Sequence, residues 1–274
     1  SECVPAGLFT ILICFVPETP RYLVLTGQDG KALRILTRIN GSEVALQTLN
    51  DIKNTMTEKT EKLFSFGFMC VFVGIMLSVF QQTVGINAVL YYAPRIFTDM
   101  GMANPMMQTV IMGVVNITFT LVAVFTVEKL GRKPLLISGS IGMAIGAFGV
   151  ALTFGNDSLS TVTMLSIMVY SASFMFSWGP ICWVYMAELF PNTIRSSATA
   201  IAVAFQWIFN FIVSSTFVPL FNMHLTRGDD FGHWFTYGLY GVICVVAALF
   251  VWRLVPETKG KTLEDMTKLW RKQA

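Results

Sequence analysis

Charge is scarce in this chain: Asp, Glu, Lys and Arg make up 13% of its 274 residues. A soluble globular domain carries about 25%, so a molecule bounded everywhere by water is excluded. Histidine is scarcer, with only His224 and His233 available for imidazole chemistry. The cysteines, Cys3, Cys14, Cys70, Cys182 and Cys244, all sit in apolar runs without metal-ligand spacing. They read as small hydrophobes rather than as a disulfide framework or a metal site. Basic and aromatic residues are not interleaved in patches and the net charge is only +3, which leaves no case for a nucleic-acid partner. The apolar segments hold no acid–base pair and no nucleophile beside a base, so an enzyme is not expected.

Apolar length fills the space that charge leaves, with hydrophobic residues at 54%. Segments at 65–97, 107–127, 134–155, 162–187, 196–222 and 234–254 each reach the ~20 residues of a spanning helix. No Asp, Glu, Lys or Arg lies in the middle of any of them. An all-α integral membrane protein is expected, with a six-helix bundle over 65–255 and a tail over 256–274. Residues 3–16 are apolar but short for a span, and they lack the basic start and cleavage site of a signal peptide. Residues 1–17, opening on Ser1 rather than Met, are therefore expected to be the end of a transmembrane helix that begins upstream. Residues 18–64 mix both signs of charge, and 31–41 and 43–56 place apolar residues at helical spacing; Asn40-Gly41 is a stop signal. Short amphipathic helices at the membrane surface are expected there.

Loop charges orient the bundle. Arg132, Lys133 and Arg195 lie in two short loops on the side of the linker and the tail. Loops 98–106 and 155–161 carry Asp99 and Asp157 but no Lys or Arg, and loop 223–233 is mixed, with Arg227, Asp229 and Asp230. The positive-inside rule puts the linker, Arg132, Arg195 and the C-terminus in the cytoplasm. The Asn-x-Ser/Thr matches at Asn116 and Asn156 fall mid-membrane and in a very short loop, and read as chance.

Against this apolar background, residues 65–94 carry Gln81, Gln82 and Asn87, then Tyr91 and Tyr92. A buried amide without a partner costs roughly 2–7 kcal/mol, so three so close together are expected to face a protein interior or a watery cavity. Polar residues there mark substrate paths. The first span is interrupted by Gly85 and the fourth by Gly179-Pro180, where proline removes a donor. Matched interruptions in equivalent spans point to a midplane binding site in a transporter built from inverted repeats.

The residue types suit a polyol. Amides both donate and accept, as sugar hydroxyls do. Asn87 and Tyr91 share a helix face, as do Gln206 and Asn210, with Trp207 beside them. Gly179 lies one turn before Trp183 and is expected to leave room beside its ring, whose face can pack on the C–H face of a pyranose. Asn116 adds an amide in the second span; for Asn116 and Asn210, hydrogen-bonded helix packing remains an open alternative. At the cytoplasmic edge, Glu128, Arg132, Glu188 and Arg195 suit a set of ion pairs that latches that side shut, with Glu18, Arg21, Glu257 and Lys259 as weaker candidates. Interfacial anchoring is the plainer reading of the same charges.

The segments PETPRYL (17–23), QQTVGINAVLYYAP (81–94), EKLGRKP (128–134), WGPICWVYMAELFPNTIR (178–195) and PETKGKTLEDM (256–266) together resemble the sugar porter family of the major facilitator superfamily. The resemblance covers essentially the whole chain. It implies the C-terminal six-helix half of a twelve-helix fold, preceded by cytoplasmic helices, with the N-terminal half as a partner. It implies alternating-access transport of a monosaccharide, a pentose or hexose such as xylose or glucose, across the cytoplasmic membrane. No cofactor is implied; the proton is the implied coupling ion, bound by a first-helix carboxylate outside this chain. Gln81, Gln82, Asn87, Tyr91, Asn116, Gly179, Trp183, Gln206 and Trp207 take the family's sugar-binding positions, and Arg132, Glu188 and Arg195 the latch. A facilitated-diffusion uniporter and, further off, a non-transporting sugar receptor are the alternatives.

Overall fold

A chain in hydrocarbon must close its own backbone hydrogen bonds, and an apolar helix does so within one segment. The computed structural model describes residues 3–13, 15–56, 63–99, 104–223, 231–261 and 263–271, and the regular structure among these is helical. Cys14, His224, Arg227, Asp229 and Asp230 lie outside the described residues. The chain divides into two units, Ser1–Thr60 and Glu61–Ala274.

The first unit holds α1 (Cys3–Ile13), α2 (Pro20–Leu25), α3 (Asp29–Asn40) and α4 (Ser42–Met56). Thr19 starts α2: its hydroxyl accepts from Tyr22 N at 3.3 Å, and Pro20 takes the first helical position, where no N–H is needed. Gly41 ends α3 at φ 79°. Leu23, Ala32, Leu36, Ala45 and Leu49 form a small core between α2, α3 and α4. The amphipathic periodicity of 31–41 and 43–56 is thus realised as two helices closing on each other.

In the second unit, α5 (Phe68–Thr83) and α6 (Ile86–Asp99) are the two pieces of the first span, and α9 (Ser160–Phe176) and α10 (Trp178–Leu189) those of the fourth. Between and after them come α7 (Pro105–Leu130), α8 (Arg132–Thr153), α11 (Arg195–Phe221), α12 (Phe231–Leu254) and α13 (Leu263–Arg271). Six stretches are long and apolar enough to cross a membrane: Phe68–Asp99, Met106–Leu130, Arg132–Thr153, Ser160–Leu189, Arg195–Phe221 and Phe231–Leu254. Their ends differ from the sequence-based bounds by a few residues.

The packing follows a repeat. The first span packs through α5 on α11 of the fifth, and the fourth span packs through α9 on α7 of the second. These pairs are equivalent if helices one to three and four to six form two groups. The third span, α8, lies along both α9 and α12. A row of glycines lets α8 approach α9. A Cβ on Gly139 would stand 1.7 Å from Ser177 Oγ, one on Gly142 2.4 Å from Ser173 Oγ, and one on Gly149 2.5 Å from Ser166 Oγ. Small residues at such a seam allow backbone-close packing in membranes, and here they fix the half of the fourth span that leads into its interruption.

Candidate functional site

The first span breaks at Val84-Gly85, after the 16 residues of α5, and the fourth breaks at Ser177, after the 17 residues of α9. Both interruptions therefore fall near the middle of their spans. Gly85 has φ 87°, and a Cβ there would stand 2.5 Å from the Tyr240 ring, so backbone conformation and packing both require glycine. The second break differs from the expectation. It lies at Ser177 (φ −132°, ψ −88°), ahead of Gly179-Pro180. Pro180 sits in the first turn of α10, where backbone N–H groups have no intrahelical acceptor and the missing donor costs little.

The two breaks bond each other. Gln81, just before the first, donates Nε2 to Trp178 O at 3.0 Å and Gly179 O at 3.4 Å, just after the second. Tyr170, in α9, donates its hydroxyl to Val84 O at the first break. The Trp178 indole N–H donates to Leu136 O at 3.1 Å and Ser140 Oγ at 2.7 Å, tying the second break to α8.

The predicted amides divide into groups. Gln82 Oε1 accepts from Asn87 Nδ2 at 2.6 Å and from Asn210 Nδ2 at 2.8 Å, which joins α5, α6 and α11. With both lone-pair directions of that oxygen used, the Gln82 amide is fixed in orientation and its NH₂ end is left over. Gln81 is 3% exposed and Gln206 5%, and the Oε1 atom of each is buried with no donor among the described residues. Asn116 Oδ1 accepts from Ser171 Oγ at 2.7 Å, linking α7 to α9; for this residue, helix packing accounts for the contact.

The aromatic candidates stand apart from the amides. Tyr91, Trp183 and Trp207 are 58%, 46% and 62% exposed, and among the described residues no hydrogen bond ties them to the amides. Tyr92, next to Tyr91, stacks on Phe217 of α11 with ring centroids 5.2 Å apart. A Cβ on Gly179 would first meet Phe174, with Cε1 at 3.3 Å and the carbonyl oxygen at 3.4 Å.

At one end of the bundle, Arg132 is 7% exposed and bridges two carboxylates: Nη2 lies 2.7 Å from Glu128 Oε1 and 2.8 Å from Glu188 Oε1. Thr258 Oγ1 donates to the other oxygen of Glu188 at 2.6 Å. Glu257 accepts the backbone N–H groups of Arg132 (3.1 Å), Lys133 (3.0 Å), Thr258 (2.9 Å) and Lys259 (2.9 Å). The first two open α8, whose cap residue Gly131 has no side chain to serve them. Gly131 also lets the carboxylate approach, since its Cβ would stand 2.9 Å from Glu257 Oε2. In α13, Trp270 is buried and donates its indole N–H to Leu189 O at 3.1 Å. Arg195 donates Nε and Nη2 to Phe190 O at 3.2 and 3.1 Å, closing the turn before α11.

Sequence reasoning ranked Glu257 below Glu188 and did not single out Thr258 or Tyr170. The Pro-Glu-Thr triplet at 17–19 that recurs at 256–258 was an available signal for the first two. Tyr170 gave none, because a tyrosine in an apolar run looks like core until its acceptor is seen.

A profile of the family described as "Sugar (and other) transporter" matches residues 1–270. The D-xylose-proton symporter of Escherichia coli K12 is 47% identical over 98% of this chain and 56% of its own length. The glucose facilitated diffusion protein of Zymomonas mobilis is 38% identical over 100% of this chain and 59% of its own length. Among solved structures, a major facilitator superfamily proton:xylose symporter bound to 6-bromo-6-deoxy-D-glucose superposes with a TM-score of 0.82 at 47% identity, covering 98% of this chain and 57% of that one. The chain thus spans a little over half the length of these relatives, and it has the fold of the C-terminal half of the twelve-helix architecture.

Proposed function

The chain belongs to the sugar (and other) transporter family, and from that premise we propose that the protein it comes from carries a monosaccharide across the cytoplasmic membrane by alternating access, coupled to protons. In this reading the chain supplies one half of the sugar site. The carrying observation is the pair of buried acceptors, Gln81 Oε1 and Gln206 Oε1, near the midplane breaks and beside an amide oriented by Asn87 and Asn210. An acceptor buried without a donor costs about 1–3 kcal/mol. A ligand rich in hydroxyls recovers that energy once side-chain movement opens these oxygens to it, donating to Gln81 and Gln206 while accepting from the Gln82 NH₂. Asn87 and the Gly179 carbonyl bond the same amides, and Tyr91, Trp183 and Trp207 offer exposed rings that the N-terminal half would close over the sugar.

Glu128, Arg132, Glu188 and Arg195 form the cytoplasmic latch in this account, with Glu257 and Thr258 fastening the tail across it. The C-terminus lies in the cytoplasm, on the side of the basic loops. Relatives named as proton symporters favour coupling; the relative named as a facilitated diffusion protein favours uniport as the second reading. Sugar-driven alkalinisation around sealed vesicles carrying the full-length protein separates the two. Symport requires proton uptake when D-xylose or D-glucose is added; sugar entry without proton movement establishes uniport.

A further inference from the structure

Where α8 and α12 meet runs a groove of about 370 Å³, lined by apolar residues that include Ile137, Ile141, Phe148, Val245, Leu249 and Trp252. Both helices are long and apolar enough to cross a membrane, and most of these side chains are exposed. The candidate sugar-site residues lie on α5, α6, α7, α10 and α11, and none on α8 or α12. The groove is therefore built on helices that the sugar site does not use.

One end of the groove is cationic. Lys133, Ile137 and Ile141 follow one another at four-residue steps on α8, so Lys133 extends one wall toward the membrane edge. Arg253 does the same for the other wall, one turn beyond Leu249 on α12, with its guanidinium carbon 6.0 Å from the Trp252 ring centroid. Among the described residues neither cation is paired with a carboxylate. An apolar trough at membrane depth that ends between two unpaired cations matches one kind of molecule: an acyl chain carrying an anionic headgroup.

We propose that this groove is a binding site for an anionic phospholipid, with the acyl chain against Ile141, Phe148, Val245 and Leu249 and the headgroup phosphate between Lys133 and Arg253. Trp252 sits at the junction, where an indole bridges apolar and polar zones. The site is independent of the sugar site and of whether transport is coupled to protons.

The test uses the full-length protein purified in neutral detergent, with bound lipid counted by native mass spectrometry as phosphatidylglycerol or phosphatidylcholine is added. Phosphatidylglycerol is expected to be retained preferentially. Lys133→Gln and Arg253→Gln should each weaken it about fivefold, the ratio that ~1 kcal/mol per basic side chain gives. Ala248→Trp, which fills the groove, should remove the preference while the protein still unfolds cooperatively. Equal retention of the two lipids, or full retention in the double Gln variant, overturns the proposal. So does Leu249→Cys cross-linking efficiently to a protein segment, because the groove would then be a protein interface.

Discussion

Glu257→Ala removes a cap that one segment of the chain supplies to another. The carboxylate serves four backbone N–H groups, but they do not count equally. Those of Thr258 and Lys259 belong to Glu257's own turn, and water can replace the carboxylate there once the tail moves. Those of Arg132 and Lys133 open α8 beneath Gly131, which has no side chain to replace it. Loss of an N-cap costs about 0.5–2 kcal/mol, and loss of a negative charge at a helix N-terminus about 0.3–1 kcal/mol. Together they favour the undocked tail by roughly 1–3 kcal/mol, or about 5–150-fold in the docking equilibrium. Hydrogen–deuterium exchange on the full-length protein reads this directly, through peptides covering 131–136 and 256–261. Both should exchange faster in Glu257→Ala. Glu257→Gln should give a smaller increase, because one acceptor oxygen survives without the charge. Unchanged exchange at the start of α8 would refute the capping role, and acceleration confined to 256–261 would reduce Glu257 to a local turn residue.

Gly139→Ala must displace α8 from Ser177, and overpacking of this kind costs about 1–3 kcal/mol. Gly113→Ala, where a Cβ meets nothing within 4 Å, serves as control and should leave the melting temperature near the parent's; equal melting of the two variants would remove the seam from the account. Trp183→Leu should weaken sugar binding in the full-length protein and abolish a ligand-dependent fluorescence change, whereas an intact response would count against stacking on this indole.

Much of this architecture was legible because hydrocarbon admits few solutions. Every apolar run long enough to span became a spanning helix, and Gly85 interrupted the first because no other residue fits both φ 87° and the Tyr240 ring. The second interruption was displaced because a helix start hides a proline: Pro180 signalled a disturbance, but Ser177 carries it. The site was legible as composition and not as pairing. Gln81, Gln82, Asn87 and Asn210 stood out as amides in an apolar background, but their sequence positions did not reveal that Gln82 takes two donors on one oxygen. Nor did they reveal that Gln81 reaches across to the other break. Trp178 and Asn210 lie 97 and 128 residues from their partners in the chain and meet them only once α5 has packed on its neighbours. Glu257 was underrated for the same reason, since its importance comes from Gly131, a residue with no side chain to announce the need.

The most direct measurement of the central claim is uptake of D-xylose and D-glucose into sealed vesicles by the full-length protein carrying Gln82→Ala, with membrane insertion verified separately. The oriented amide and its buried neighbours exist, in this account, to exchange hydrogen bonds with sugar hydroxyls, so uptake should fall to background while the protein inserts normally. Uptake at the parent's level would mean that the Gln82–Asn87–Asn210 cluster only holds helices together.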